Sequence, residues 1–335
     1  MKKIIWLLIM IVAIIILFGI LWQTKIIRAP SPVALTPVTA RLKWLHQAQF
    51  AGMYAAREKG FYKDQGLDVT LEPFNFENPT IDAVANKKAD FGVTGADELV
   101  LARAKGLPLK AIAVIYKINP VCAYSLKERN ITRPQDFVGK IVGLEKGTNV
   151  DLLYYVMMQK LGIDRKKIRE IQIGYDATEL LNGTTDVSTG YVINEPQQAM
   201  EMGKQVNIIL MADYGANMYA DVIFTRDDLI QANPLLVEKF LRATINGWQY
   251  AVENNEEVVD FVLKYAPNGN KTHESYMLKN SIPLINTGDS PIGFMDKSKW
   301  ESLQNILFEQ NILNKKIDIS QVYTTTFLDK ISSGQ

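Results

Sequence analysis

From position 41 onward the chain keeps alternating short aliphatic runs with amphipathic stretches, separated by turn residues. Strands that alternate with helices are what a parallel sheet with crossover helices requires, so this rhythm confines the chain to the α/β class. Arg41 to Leu45 reads as a first strand, Ala51 to Lys59 as a helix and Leu67 to Leu71 as a second strand. Asn78-Pro79 offers a helix start, with Asn as cap and Pro at the first helical position. Ala89 to Val93 is a short strand, Ala96 to Lys105 a helix and Leu109 to Tyr116 a strongly apolar strand.

Asn119-Pro120 and Arg133-Pro134 mark a change of rhythm. Beyond them Lys140 to Leu144, Arg169 to Tyr175 and Val187 to Val192 read as strands, with helices at Asp151 to Leu161 and Pro196 to Met202. Asp221 to Thr225 is a further strand. Asn233-Pro234 opens a long helical stretch through Tyr265, expected to break or bend near Gly247, and Lys297 to Asn311 forms another amphipathic helix. The expected organisation is a first lobe from 41–125 and 221–335, a second lobe from 126–220, and two chain crossings that leave a cleft between them.

Ahead of this region, Lys2 and Lys3 precede nineteen uncharged residues from Ile4 to Trp22. Such a run matches a bilayer core of about 30 Å. A cleaved signal has a shorter apolar stretch with small residues close behind it, whereas Gln23-Thr24-Lys25 follows here. Residues 1–22 are therefore expected to be an uncleaved anchor, with cleavage as the alternative, and the remainder to lie on the periplasmic or extracellular side. Residues 23–40, with Pro30, Pro32 and Pro37, read as an extended linker. The lone Cys122 excludes an intrachain disulfide and a lipid-anchored N-terminus. A formal charge of +1 argues against nucleic acid as partner, and Arg165-Lys166-Lys167 with Arg169 reads as a solvated edge. The chain is expected to act as a monomer.

Motifs for catalysis are few. His46 and His273 are the two histidines, so a His-rich zinc site cannot be built, and neither a Cys pair nor a nucleotide-binding glycine loop is present. No cofactor is expected. Gly143-Leu144-Glu145-Lys146-Gly147-Thr148 follows a strand and precedes a helix. Gly147, Thr148 and Asn149 either present backbone N–H groups to a polar ligand or make a plain turn.

Trp44-Leu45-His46-Gln47-Ala48-Gln49-Phe50-Ala51-Gly52-Met53-Tyr54-Ala55-Ala56, with Glu58-Lys59-Gly60-Phe61-Tyr62 and Gly66-Leu67-Asp68-Val69, resembles the opening of solute-binding proteins of the thiamine-pyrimidine and alkanesulfonate group. Ala89-Asp90-Phe91-Gly92-Val93 with Gly95-Ala96-Asp97-Glu98 agrees, as do Gly190-Tyr191-Val192-Ile193-Asn194-Glu195-Pro196 and Ala212-Asp213-Tyr214-Gly215. The resemblance implies a periplasmic-binding-protein fold of the two-crossing type (type II) and a default role as the binding subunit of an ABC importer, served by a permease and an ATPase. The implied ligands are pyrimidine precursors of thiamine, such as hydroxymethylpyrimidine or formylaminopyrimidine, or riboflavin. A sulfonate such as taurine is the alternative. In the pyrimidine binders an aromatic residue and a glutamate of the Gly-Tyr-x-x-Asn-Glu-Pro block contact the ring, which implicates Tyr191 and Glu195. The first strand and its loop imply Trp44, Gln47 and Gln49.

These residue types suit a flat heterocycle on physical grounds as well. Trp44 and Tyr191 offer stacking faces, and Glu195, Asn194, Gln47 and Gln49 offer donors and acceptors for its edge. Thr94 and Asp97 sit at a strand's carboxyl end, where ligands of open α/β sheets bind. Blander readings stand beside each. Trp44 and Tyr191 can be core or hinge residues, Glu195 and Asp97 can serve their helix starts, and His46 can be a satisfied polar neighbour. The 288–294 turn is a weak candidate for the cleft mouth. Two further roles share the fold: the fungal thiamine pyrimidine synthase, whose cysteine-rich motif this chain lacks, and a sensory subunit that presents ligand occupancy to a membrane partner.

Overall fold

A computed structural model describes residues 34–333, together with positions 6, 10–12 and 14 of the N-terminal segment, which are helical and exposed. The rest of the expected anchor, the linker from 23 to 33 and the last two residues lie outside the described residues. Among the described residues no helix is long and apolar enough to cross a membrane. Residues 36–335 form one compact unit.

Two five-stranded sheets make up that unit. The first contains β1 (Thr36–Arg41), β2 (Leu67–Glu72), β3 (Phe91–Thr94), β4 (Leu109–Tyr116) and, returning from the other lobe, a strand at Ala220–Arg226. The second contains β5 (Val121–Leu126), β6 (Ile141–Leu144), β7 (Arg169–Gln172), β8 (Val187–Tyr191) and β9 (Val206–Leu210). With the returning strand as β10, the orders are β2-β1-β3-β10-β4 and β7-β6-β8-β5-β9. In each sheet four strands run in one direction, and the strand that arrives from the other lobe inserts antiparallel between the third and the last of them. Those two inserted strands, β5 and β10, are buried along their whole length, as expected of strands covered on both faces. The exposed positions of β2 alternate, which marks an edge.

The crossings fall at 117–120 and 211–219, so the lobe boundary lies before Val121 and not after residue 125: β5 hydrogen-bonds to β8 and β9 of the second sheet. The first strand runs Thr36–Arg41, inside the expected linker, and shares only Arg41 with the expected Arg41 to Leu45; Leu42 to Leu45 already belong to the loop that follows it. Pro37 is tolerated there because of register. Thr36 N–H reaches the Gly66 carbonyl on the β2 side and Thr39 N–H turns the other way to the Asp90 carboxylate. The missing donor of Pro37 therefore falls on the side where β3, paired only at Ala40 and Arg41, has not yet begun.

Other boundaries shift for local reasons. The helix after Asn78-Pro79 begins at Thr80, and Asn78 does not cap it; the Thr80 hydroxyl instead donates to the Leu42 carbonyl. The long helix Pro234–Glu253 is capped by the Asn233 side chain, which accepts from Leu236 N–H, and it breaks at Asn254 and not at Gly247. Gly247 is there for proximity: a Cβ at that position would lie 2.1 Å from the Gly52 carbonyl oxygen and 2.7 Å from Ala56 N. Gly52 in turn faces Trp248, so the two helices pack backbone against backbone. A helix at Lys271–Ile285, with Pro283 inside it, has no counterpart in the sequence reading. The base of the two lobes is closed by a shared core in which Met211, Met218 and Tyr219 of the return crossing pack with Met157 and Trp300.

Candidate functional site

The carboxyl ends of the parallel strands in both sheets point into one cleft, whose enclosed space is about 230 Å³. That lies just under the roughly 300–1,000 Å³ usual for drug-sized ligands, which suits a small ring compound. Of the residues expected at the site, Trp44, Gln47, Gln49, Gly147, Thr148, Asn149, Tyr191, Asn194 and Glu195 line this cleft. Thr94 and Asp97 do not; both are buried beneath it. The cleft is lined by their neighbour Glu98, which the Thr94 hydroxyl and the Gly95 N–H hold in place. Burial, then the charge of Glu98, pushes Asp97 up to about 6.

One wall comes from the loop after β1. The Trp44 carbonyl accepts from Phe74 N–H, which ties this loop to the one after β2 and brings the two rings into a stack at 6.2 Å and 26°. Phe76 meets Phe74 edge-on at 4.9 Å, and Tyr175 from the second lobe meets Trp44 edge-on at 5.3 Å. Phe76 is 73% exposed and Tyr175 48%, so these rings form an aromatic rim open to solvent.

Beneath the rim lies a polar floor. Lys43 Nζ stands 3.4 Å from Asp221 Oδ1 and donates to the Tyr191 hydroxyl at 3.2 Å, crossing from one lobe to the other. Burial by itself lowers the Lys43 ammonium, but Tyr191, Asp221 and Glu98 outweigh it and hold its pKa above the ordinary lysine range. Gln49 Nε2 donates to Asp221 at 2.8 Å, and Gln49 Oε1 accepts from Gln47 Nε2 at 2.7 Å. Asn149 Nδ2 also donates to the Tyr191 hydroxyl, at 2.9 Å. A phenol oxygen that already accepts twice has its own proton left to donate.

In the turn before Asn149, the N–H groups of Gly147 and Thr148 already have partners within the protein. Gly147, at φ +81°, gives its N–H to Asp151, Thr148 gives its N–H to the Glu145 carbonyl, and the Thr148 hydroxyl takes the Val150 N–H. These residues form the wall, and Asn149 contributes through its side chain.

On the second lobe, Glu195 opens the helix Glu195–Glu201 and folds back over β8. Its carboxylate accepts from Tyr191 N–H and from Asn194 Nδ2, each at 2.6 Å. Gly190 makes this possible: a Cβ there would lie 2.6 Å from Glu195 Oε2. Asn194 Oδ1 lies 2.9 Å from His273 Nε2 on the 271–285 helix, while His273 Nδ1 stands 3.3 Å from Glu201. Glu145, at the end of the neighbouring strand β6, also lines the cleft and is 7% exposed, yet its carboxyl accepts no hydrogen bond from any described residue. Burial, then the charge of Glu195, pushes Glu145 up to about 9. Burial pushes Glu195 up to about 7, against the N–H groups that favour its charged form.

Sequence reasoning missed Lys43, Glu98, Glu145 and the rim rings Phe74, Phe76 and Tyr175. The signal for Glu98 and Glu145 was their place at a strand's carboxyl end. His46 packs outside the cleft, with Nδ1 2.9 Å from the Tyr54 hydroxyl, and the 288–294 turn instead holds Lys117 through Ser290.

Two α/β lobes, two crossings and a cleft at the strands' carboxyl ends define the periplasmic-binding-protein fold. The solved aliphatic sulphonate binding protein SsuA of Escherichia coli superposes with a TM-score of 0.69 at 15% identity, covering 85% of this chain and 91% of that one. The model of the NMT1/THI5 like family matches residues 47–258, and the chain belongs to that family. Among curated relatives, a riboflavin-binding protein, RibY of Chloroflexus aurantiacus, is 28% identical over 90% of this chain and 89% of its own length. A formylaminopyrimidine-binding protein of Halalkalibacterium halodurans is 23% identical over 87% and 91%. A 4-amino-5-hydroxymethyl-2-methylpyrimidine phosphate synthase of Legionella pneumophila is 26% identical over 87% and 92%.

Proposed function

We propose that this chain is the binding subunit of an ABC importer for a small planar heterocycle, foremost an aminopyrimidine precursor of thiamine. It works as a monomer and is tethered on the outer face of the membrane by residues 1–22. The observation that carries this reading is the position of Tyr191: it belongs to the second lobe, receives hydrogen bonds from Lys43 of the first lobe and Asn149 of the second, and lines the cleft beside Trp44. A ring stacked in the cleft touches both lobes at once, and a ligand that binds the closed form better shifts the population toward closure. The permease then reads the closed form. Names of relatives that bind a formylaminopyrimidine and riboflavin support a heterocycle as cargo. The side chains in the cleft serve stacking and hydrogen bonding, which favours binding over the synthesis named for the Legionella relative.

A flavin is the second reading. The rim of Trp44, Phe74, Phe76 and Tyr175 offers more stacking surface than one pyrimidine covers. The test is a thermal-shift panel on the full chain in detergent micelles, with hydroxymethylpyrimidine, formylaminopyrimidine, riboflavin, pyridoxal phosphate and taurine. A pyrimidine is expected to raise the melting temperature most, since a ligand selective for the folded state stabilises it. A shift with taurine and none with any heterocycle would sink the proposal.

A further inference from the structure

Glu145 is a buried carboxyl that faces the cavity without a hydrogen-bond donor among the described residues. Leaving such a group unpaired is destabilising by several kcal/mol if it is charged, so a native site keeps it only with a proton, a partner or both. Its place in the fold is built. β6 and β8 are adjacent and parallel, with Val142 opposite Val187 and Gly143 opposite Ser188. Glu145 leaves the end of one strand, and Glu195 folds back over the end of the other. The two carboxyls therefore look into the same space from neighbouring strands. Glu195 already takes the Tyr191 N–H and the Asn194 amide, whereas Glu145 has neither.

The other charged groups at the cleft do not change this. Lys43 is engaged by Asp221 and Tyr191, and Glu98 by Thr94 and Gly95. The burial and the nearby Glu195 charge that raise Glu145 favour its protonated form at neutral pH. A protonated carboxyl offers one O–H donor beside one carbonyl acceptor.

We propose that Glu145 selects the ligand by forming two parallel hydrogen bonds with an amidine-type edge, a ring nitrogen flanked by an exocyclic amine. This rests on the reading of the cleft as a heterocycle site and narrows it to rings that carry such an edge. The O–H of Glu145 donates to the ring nitrogen and its carbonyl accepts from the amine. A ring without the exocyclic amine leaves the carbonyl oxygen of Glu145 unpaired in the cleft and is rejected. Discrimination by buried polar groups that would be left unpaired is large, of order 10⁴ where a site is built for it.

The test measures affinity of the full chain in detergent micelles for 4-amino-5-hydroxymethyl-2-methylpyrimidine and for its analogue with hydrogen in place of the 4-amino group, by calorimetry. Wild type is expected to prefer the amino compound at least a hundredfold. Glu145→Leu should weaken the amino compound more than tenfold and bring the preference close to one. Glu145→Gln, whose amide keeps one donor beside one acceptor, should restore most of the preference, which a merely structural role would not predict. Tyr191→Ala should weaken both compounds alike. An unchanged preference in Glu145→Leu, with Tyr191→Ala still weakening binding, overturns the role of Glu145 alone. No binding of any pyrimidine or flavin to wild type overturns the heterocycle reading and this proposal with it.

Discussion

On the first lobe, the charge of Lys43 meets Asp221, Asp221 meets Gln49 and Gln49 meets Gln47, so these groups pair with one another before a ligand arrives. On the second lobe, Glu145 and Glu195 enter the same cavity from adjacent strands, and Glu145 has no donor among the described residues. The two sheets share a strand order, yet one wall is a finished network and the other an unfinished one. The finished wall holds shape and supplies stacking rings. We propose that the unfinished wall is where ligand chemistry is read.

The largest effect that would break this contrast is on the finished side. Asp221→Ala removes the buried carboxylate that Lys43 and Gln49 share and is expected to destabilise the protein by about 3 kcal/mol, measured by urea unfolding. If stability is unchanged, the first wall is not a network. Next, Gly190→Ala would drive a Cβ into Glu195 and displace its carboxylate. It is expected to weaken ligand binding by tenfold or more, about 1.4 kcal/mol, with the circular dichroism spectrum retained. Equal affinity would mean that Glu195 does not read the ligand.

A smaller effect concerns pH. The folded Glu145 sits at about 9, above the roughly 4.3 of an unfolded glutamate. The folded state therefore holds the proton more tightly, so its contribution is complete below about pH 4 and is lost as pH rises toward 9. The melting temperature of the ligand-free chain is expected to fall by a few degrees between pH 6 and 9, and to fall less in Glu145→Gln. An identical slope in both would remove Glu145 from the account. Last, Phe76→Ala on the exposed rim should change stability by no more than about 0.5 kcal/mol and affinity by a few-fold. A loss as large as that of Gly190→Ala would move the reading centre from the carboxyls to the rim.

The contrast also explains what could be read from the chain. Strands such as Leu109–Tyr116 were legible to the residue, because an uninterrupted apolar run bounded by Pro108 and Asn119-Pro120 leaves little choice. Trp44, Tyr191 and Glu195 were legible as types that suit a ring. β5 was missed because a central strand buried on both faces lacks alternation, and β9 because its partner lies eighty residues back in the chain. Glu98 was confused with Asp97 because both are acids in the first turn of a helix. Successive helical residues point about 100° apart, so only the set of the helix decides which one enters the cleft. Glu145 was visible as a letter in the turn after β6, but a missing hydrogen bond is a property of three-dimensional surroundings and leaves no trace in sequence.

Asn194 stands between these two worlds. Its amide nitrogen holds Glu195, and its oxygen faces His273 on a helix that packs with the first lobe. The group that fixes a ligand-reading carboxylate is thus also part of the clasp between the halves. Under the proposed function, release requires that clasp to loosen, and residence time is then set partly at His273, which lies outside the cleft lining. A substitution at His273 would be felt as a faster departure of ligand, with the arrival rate nearly unchanged.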